Sequence, residues 1–191
     1  GYRLSDRLER LLGVCSAAQY AHSRGVVHRD IKPENVVLGA HGEVYLVDWG
    51  IAKVLGLSEA EPISVKGNAG VTPPLVMVSG EGAGVTDHGT TQFGDIVGTP
   101  AYMPPEQARG LVDEHGPSTD QYALGMMLQQ CITLTRPRRG NLRVQLLAAA
   151  ESAREPLTEM ADGRPVPPEL AAIVAKATAF EASDRYASVE D

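Results

Sequence analysis

The chain has 191 residues, room for one ordinary hydrophobic core, so a single domain is the starting expectation. Its formal net charge is −7 and no basic run occurs, which argues against a nucleic-acid partner. Cys15 and Cys131 give neither a disulfide framework nor metal-site spacing, and neither a membrane span nor an N-terminal signal peptide is legible.

Leu8, Leu11, Leu12 and Cys15 recur at roughly helical spacing with Arg7, Glu9 and Arg10 between them. A helix is predicted from near Ser5 to near Arg24, with Gly25 as its stop. Val26-Val27 reads as a short strand. Val36–Leu38 and residues 43–47, joined by a turn at 39–42, read as a β-hairpin. From about 55 to 89 the pattern dissolves into Gly, Pro, Ser, Val and Glu, and a mobile surface insert is expected there. Gly80-Glu81-Gly82-Ala83-Gly84 fails as a phosphate loop because position 85 is Val.

Residues 118–121 resemble a capping box that opens a helix through 122–128, apolar on all sides and so a core helix. Residues 136–143 carry four arginines and read as a solvated turn. Residues 141–154 have moderate helical character, and a connector runs over 156–167. Pro168 then suits a first helical position, with Leu170, Ile173, Val174 and Ala177 as one apolar stripe.

The chemistry concentrates in His28-Arg29-Asp30-Ile31-Lys32-Pro33-Glu34-Asn35. Moving a phosphoryl group from a nucleotide to a hydroxyl calls for a carboxylate to accept the proton, a cation beside the phosphate and an oxygen donor for a metal ion. Asp30, Lys32 and Asn35 supply one of each, and Asp48 adds a second carboxylate just past the hairpin. The hairpin thus carries Asn35 at one end and Asp48 at the other, near one point.

His28-Arg29-Asp30 with Lys32 and Asn35 resembles the catalytic loop of protein kinases, and Asp48-Trp49-Gly50 resembles their Asp-Phe-Gly segment. Gly98-Thr99-Pro100-Ala101-Tyr102-Met103-Pro104-Pro105-Glu106 is similar to their substrate-docking loop and Ala-Pro-Glu end, with Pro105 in place of Ala. The wording is nearest to the eukaryotic-like serine/threonine kinases of bacteria. The fold this implies is α+β: the mainly helical C-lobe of the protein-kinase fold, with a small β-hairpin at the active site. The catalytic loop would be 28–35 and the activation segment 48–106.

The resemblance implies ATP and Mg²⁺ (or Mn²⁺) as cofactors and proteins bearing Ser or Thr as substrates. Asp30 and Lys32 would be catalytic, Lys32, Glu34, Asn35 and Asp48 would bind the nucleotide, and Asn35 and Asp48 would hold the metal. Arg29 would pair with a phosphate on Thr90 or Thr91, placed there by autophosphorylation within a dimer, while Thr99 would bond Asp30 and Lys32. His28, Asp120 and an Arg185–Glu106 pair would be structural. A cytoplasmic location is expected, with a membrane anchor elsewhere in a longer protein compatible with it.

No Gly-rich loop precedes His28, and no strand Lys with a helix Glu partner is present; Ile51-Ala52-Lys53 directly follows Asp48-Trp49-Gly50. The N-lobe is therefore expected to be absent from this chain, leaving 1–191 a partial kinase domain, inactive alone. A non-catalytic scaffold of the same fold is the first rival, opposed by the intact Asp30, Lys32, Asn35 and Asp48. A small-molecule kinase is the second, opposed by Lys32-Pro33 and the 98–106 wording.

Overall fold

The first helix, α1 (Leu4–Ser23), begins where the Asp6 carboxylate accepts the Arg3 backbone N–H at 3.1 Å. It ends at Arg24, beyond which Gly25 takes φ 74°, the left-handed conformation that glycine adopts without a Cβ clash. Leu11, Val14, Ala18 and Ala21 form its buried stripe; Leu12, grouped with the apolar positions in the sequence, faces outward. The structure, a computed structural model, describes residues 2–55 and 99–191. Most of the 55–89 insert, together with Thr90 and Thr91, lies outside the described residues.

Two small antiparallel sheets follow α1. In one, β2 (Val36–Leu38) pairs with β3 (Val44–Leu46), with Val36 opposite Leu46 and Leu38 opposite Val44. In the other, β1 (Val26–Val27) pairs with β4 (Lys53–Val54), Val27 opposite Lys53. The second pairing joins residues 26 to 28 positions apart, and no sequence pattern marks β4. The 28–35 run thus connects β1 to β2 and the 48–50 segment connects β3 to β4, so the two ladders hold both segments.

The core is built on α3 (Pro117–Thr133), in which every residue from Thr119 to Gln129 is buried. Tyr122, Leu124, Met126 and Ile132 meet Val14 and Ala18 of α1, Ile31 of the catalytic-loop run, and Val174 of α5 (Pro168–Ala177). A short helix, α2 (Pro105–Ala108), and α4 (Leu142–Ala150) complete the helical part; Asn141 caps α4 by accepting the Val144 N–H at 3.0 Å. Among the described residues no helix is long and apolar enough to cross a membrane.

Two sequence expectations need correction. The α3 cap is not Ser118: the helix starts at Pro117, and the Gly116 N–H donates to Thr119 Oγ1 at 3.2 Å. Proline at the first helical position, needing no hydrogen-bond partner for its nitrogen, moves the box two residues earlier, to Gly116 and Thr119. Nor is 136–143 a uniformly solvated turn. Arg136, Arg139 and Arg143 are exposed, whereas Arg138 is only 2% exposed. All three guanidinium nitrogens of Arg138 find oxygen acceptors inside, which lets a long cation leave water.

Candidate active site

Asp120, in the first turn of α3, fixes the start of the catalytic-loop run. Its Oδ2 accepts the His28 N–H at 2.8 Å and His22 Nε2–H at 2.7 Å, and its Oδ1 accepts the Arg29 N–H at 2.8 Å. A buried carboxylate is thereby satisfied by three donors rather than by a neighbouring cation of the loop. Arg29 is held at φ 68°, a left-handed conformation uncommon for a non-glycine residue, and Gln107 Nε2 donates to its carbonyl at 2.9 Å. Arg29 Nε donates to the Ile51 carbonyl at 2.5 Å, tying the loop to the segment after Asp48.

His28 is fully buried between the two segments. Its Nδ1 accepts the Asp30 N–H at 3.2 Å, which leaves Nε2 protonated to donate to the Val47 carbonyl at 3.0 Å. The ring lies 4.5 Å from that of Trp49, whose indole N–H donates to the Leu46 carbonyl at 2.9 Å. Val47 N–H donates to the Asn35 carbonyl at 2.9 Å, so Asp48 is the residue next to Asn35's ladder partner. Asp48 also has positive φ, 64°, and its side chain is exposed. Strained backbone at two residues of one small site costs on the order of 1–3 kcal/mol each, and the surrounding bonds hold it.

Asp30 is gripped by donors at both oxygens. Oδ1 accepts the Thr99 N–H at 2.9 Å; Oδ2 accepts Lys32 Nζ at 2.6 Å and Asn35 Nδ2 at 3.2 Å. Lys32 Nζ also donates to Thr99 Oγ1 at 2.7 Å. Asn35 Nδ2 donates in addition to the Asp30 carbonyl at 2.9 Å, an assignment that turns Oδ1 away from Asp30. The structure thus brings Asp30, Lys32, Asn35 and Thr99 into one bonded cluster, with Asp48 beside it. Glu34 stands apart: its carboxylate pairs with Arg136 at 3.0 Å on the exposed surface.

The far end of the 99–106 loop is anchored separately. Arg185 makes a bidentate pair with Glu106, both contacts 2.8 Å, in the interior. Tyr102 is buried and its hydroxyl donates to Gln130 Oε1; burial pushes that phenol up to about 12. His22, Gln107 and Arg138 are the contributors that sequence reading missed. His22 lies on the α1 face that also buries Ala18 and Ala21, but no local pattern marks its partner 98 residues away.

No group of three or more His, Cys, Asp or Glu side chains able to hold a metal occurs among the described residues. Asn35 Oδ1 and the Asp48 carboxylate are instead two hard oxygen donors, brought near each other by the Val47 N–H on the Asn35 carbonyl. That set fits Mg²⁺, which keeps waters and takes substrate phosphate oxygens to complete its shell.

Comparison with known proteins places these features. Residues 6–188 match the protein kinase domain family. The chain is 37% identical over 180 residues to the serine/threonine-protein kinase PknD of Protochlamydia amoebophila, covering 93% of this chain and 17% of that protein. It is 38% identical over 184 residues to PknD of Chlamydia muridarum, covering 93% of this chain and 18% of the relative. It therefore spans less than a fifth of the length of these curated relatives. With a kinase-type cluster at its centre and a family match from residue 6 to residue 188, the chain belongs to the protein kinase family, in its bacterial-type serine/threonine branch.

Proposed function

We propose that the chain supplies the catalytic groups with which the full-length protein transfers the γ-phosphoryl group of ATP to Ser or Thr hydroxyls of proteins. The observation that carries this reading is the sharing of Lys32 Nζ between Asp30 Oδ2 and Thr99 Oγ1, at 2.6 and 2.7 Å. One cation there links the candidate base to the candidate substrate-docking loop. Asp30 accepts the proton of the incoming hydroxyl, with its orientation set by Thr99 N–H and Asn35 Nδ2. Lys32 stands beside Asp30, where it can offset negative charge on the phosphoryl group in transit. Thr99 keeps the docking loop in register with the base. A Mg²⁺ ion held by Asn35 Oδ1 and Asp48 would neutralise charge on the nucleotide phosphates.

His28 and Asp120 serve as positioning groups, one bridging Asp30 to Val47 and the other holding the loop's N–H groups. Arg185 and Glu106 brace the end of the docking loop. Arg29 is proposed to receive a phosphate carried by Thr90 or Thr91, outside the described residues, added between two copies of the protein. We further propose that residues 1–191 form the mainly helical larger lobe of a cytoplasmic kinase. Turnover then requires a companion lobe supplying a Gly-rich loop and a Lys–Glu pair, for which these residues contain no counterpart.

The test is phosphorylation of a Ser/Thr-containing protein by the full-length protein with Mg²⁺ and ATP, against Asp30→Asn. Phosphoserine or phosphothreonine in the product, lowered about 10²–10⁴-fold by the substitution, is the expected result. Equal transfer by the variant removes Asp30 from the mechanism. Residues 1–191 alone are expected to turn over no substrate.

A further inference from the structure

We infer that Arg138 is a positioning residue for phosphoryl transfer, clamping the substrate-docking loop from beneath. The inference rests on the kinase reading above. Arg138 lies in the connection between α3 and α4, and its side chain runs inward until 2% of the residue is exposed. Nη1 donates to the Pro100 carbonyl at 2.9 Å and to the Met103 carbonyl at 2.7 Å. Nη2 donates to the Tyr122 hydroxyl at 2.6 Å, and Nε to the Ala153 carbonyl at 2.7 Å. Tyr122 Oη in turn meets Ser152 Oγ at 2.8 Å.

Every one of these acceptors is neutral, and among the described residues no carboxylate pairs with Arg138. A buried cation without a counter-ion is expensive, and an apolar side chain of similar volume would fill the space more cheaply. What the guanidinium adds is a planar fork that reaches several oxygens in fixed directions. Two of its four contacts fall on the loop that carries Thr99. Pro100 follows Thr99 directly, and Thr99 supplies the N–H on Asp30 Oδ1 and the hydroxyl on Lys32 Nζ. Tyr102, on the same short turn, donates its N–H back to the Thr99 carbonyl at 3.0 Å. Holding Pro100 and Met103 therefore holds Thr99 against the base, from a residue with no hydrogen bond to Asp30, Lys32 or Asn35.

The test compares full-length wild type with Arg138→Met, which fills the volume, and Arg138→Lys, which keeps the charge but not the fork. Hydrogen exchange at the Thr99 and Tyr102 amides is expected to rise about tenfold or more in both variants, with the Val47 amide unchanged. Kinetics against a Ser/Thr peptide are expected to show kcat/KM for peptide falling about tenfold or more while the KM for ATP stays within about twofold. Unchanged exchange at Thr99 in a folded variant overturns the inference, as does full recovery by lysine. Should Arg138→Met not fold, Arg138→Lys and Tyr122→Phe carry the same readout, the latter with a smaller rise. The exchange measurement needs no activity. A wild type that phosphorylates nothing sinks the kinase reading, while the rise at Thr99 still reports whether Arg138 holds the loop.

Discussion

Replacing Arg185 with methionine removes five hydrogen bonds at once: two to Glu106 and one each to the carbonyls of Ala179, Ser118 and Phe180. Among the described residues, Glu106 is then left in the interior with Thr119 Oγ1 at 3.3 Å as its remaining side-chain hydrogen-bond partner. Breaking a buried pair in this way costs about 3–5 kcal/mol, because a charge stays buried without compensation. The opposite change, Glu106→Gln, is milder. Arg185 keeps its three carbonyls and one side-chain oxygen and loses the other acceptor to an NH2 group, so about 1–3 kcal/mol is expected.

The asymmetry is the test. Urea unfolding of the chain, followed through its single tryptophan, Trp49, should place Arg185→Met at least about 1 kcal/mol below Glu106→Gln at equal slope. For a chain of this length, 3–5 kcal/mol corresponds to a melting temperature lower by about 6–20 °C. Equal losses in the two variants, or a loss below about 1 kcal/mol for Arg185→Met, would refute the argument that the buried carboxylate depends on this guanidinium.

Two further outcomes follow from packing. Burial pushes the Cys15 thiol from an ordinary 9.0 up to about 11, so at pH 8 its native thiolate fraction is about 100-fold below that of the unfolded chain. Alkylation should slow by at least that factor on folding; native reaction within about tenfold of the unfolded rate contradicts it. The sign for stability is set by the same shift. The unfolded state loses the proton first, so this contribution is intact below pH 9 and declines as pH rises toward 11. Gly125→Ala would set a Cβ 2.8 Å from Ala177 Cβ and 2.9 Å from Thr178 Cγ2, where α3 meets α5. A loss of about 1–3 kcal/mol is expected by thermal unfolding, and an unchanged melting temperature would show that the two helices part freely.

Much of the site was legible because it is local. Asp30, Lys32 and Asn35 lie within six residues of sequence, and the two apolar runs and turn of 36–47 mark the hairpin that brings Val47, next to Asp48, onto the Asn35 carbonyl. α1 was legible within a residue at both ends and α3 and α5 within a residue at their starts, whereas α3 runs five residues past the 122–128 stretch, to Thr133. What sequence could not show depends on partners far along the chain. The β1–β4 ladder is two residues wide on each side, too short for a pattern. His22 carries no mark of its bond to Asp120, and Arg138 looks like its exposed neighbours Arg136 and Arg139. Its burial follows from four oxygens supplied by segments 15 to 38 residues away.

The most direct measurement of the metal and nucleotide grip uses Mn²⁺ with ATP as a paramagnetic probe on the isotope-labelled full-length protein. The account predicts that the Asn35 side-chain amide and the Gly50 backbone amide broaden beyond detection, while signals from the α5 helix stay sharp. An Asn35 amide that remains sharp at saturating Mn²⁺ and ATP would contradict it.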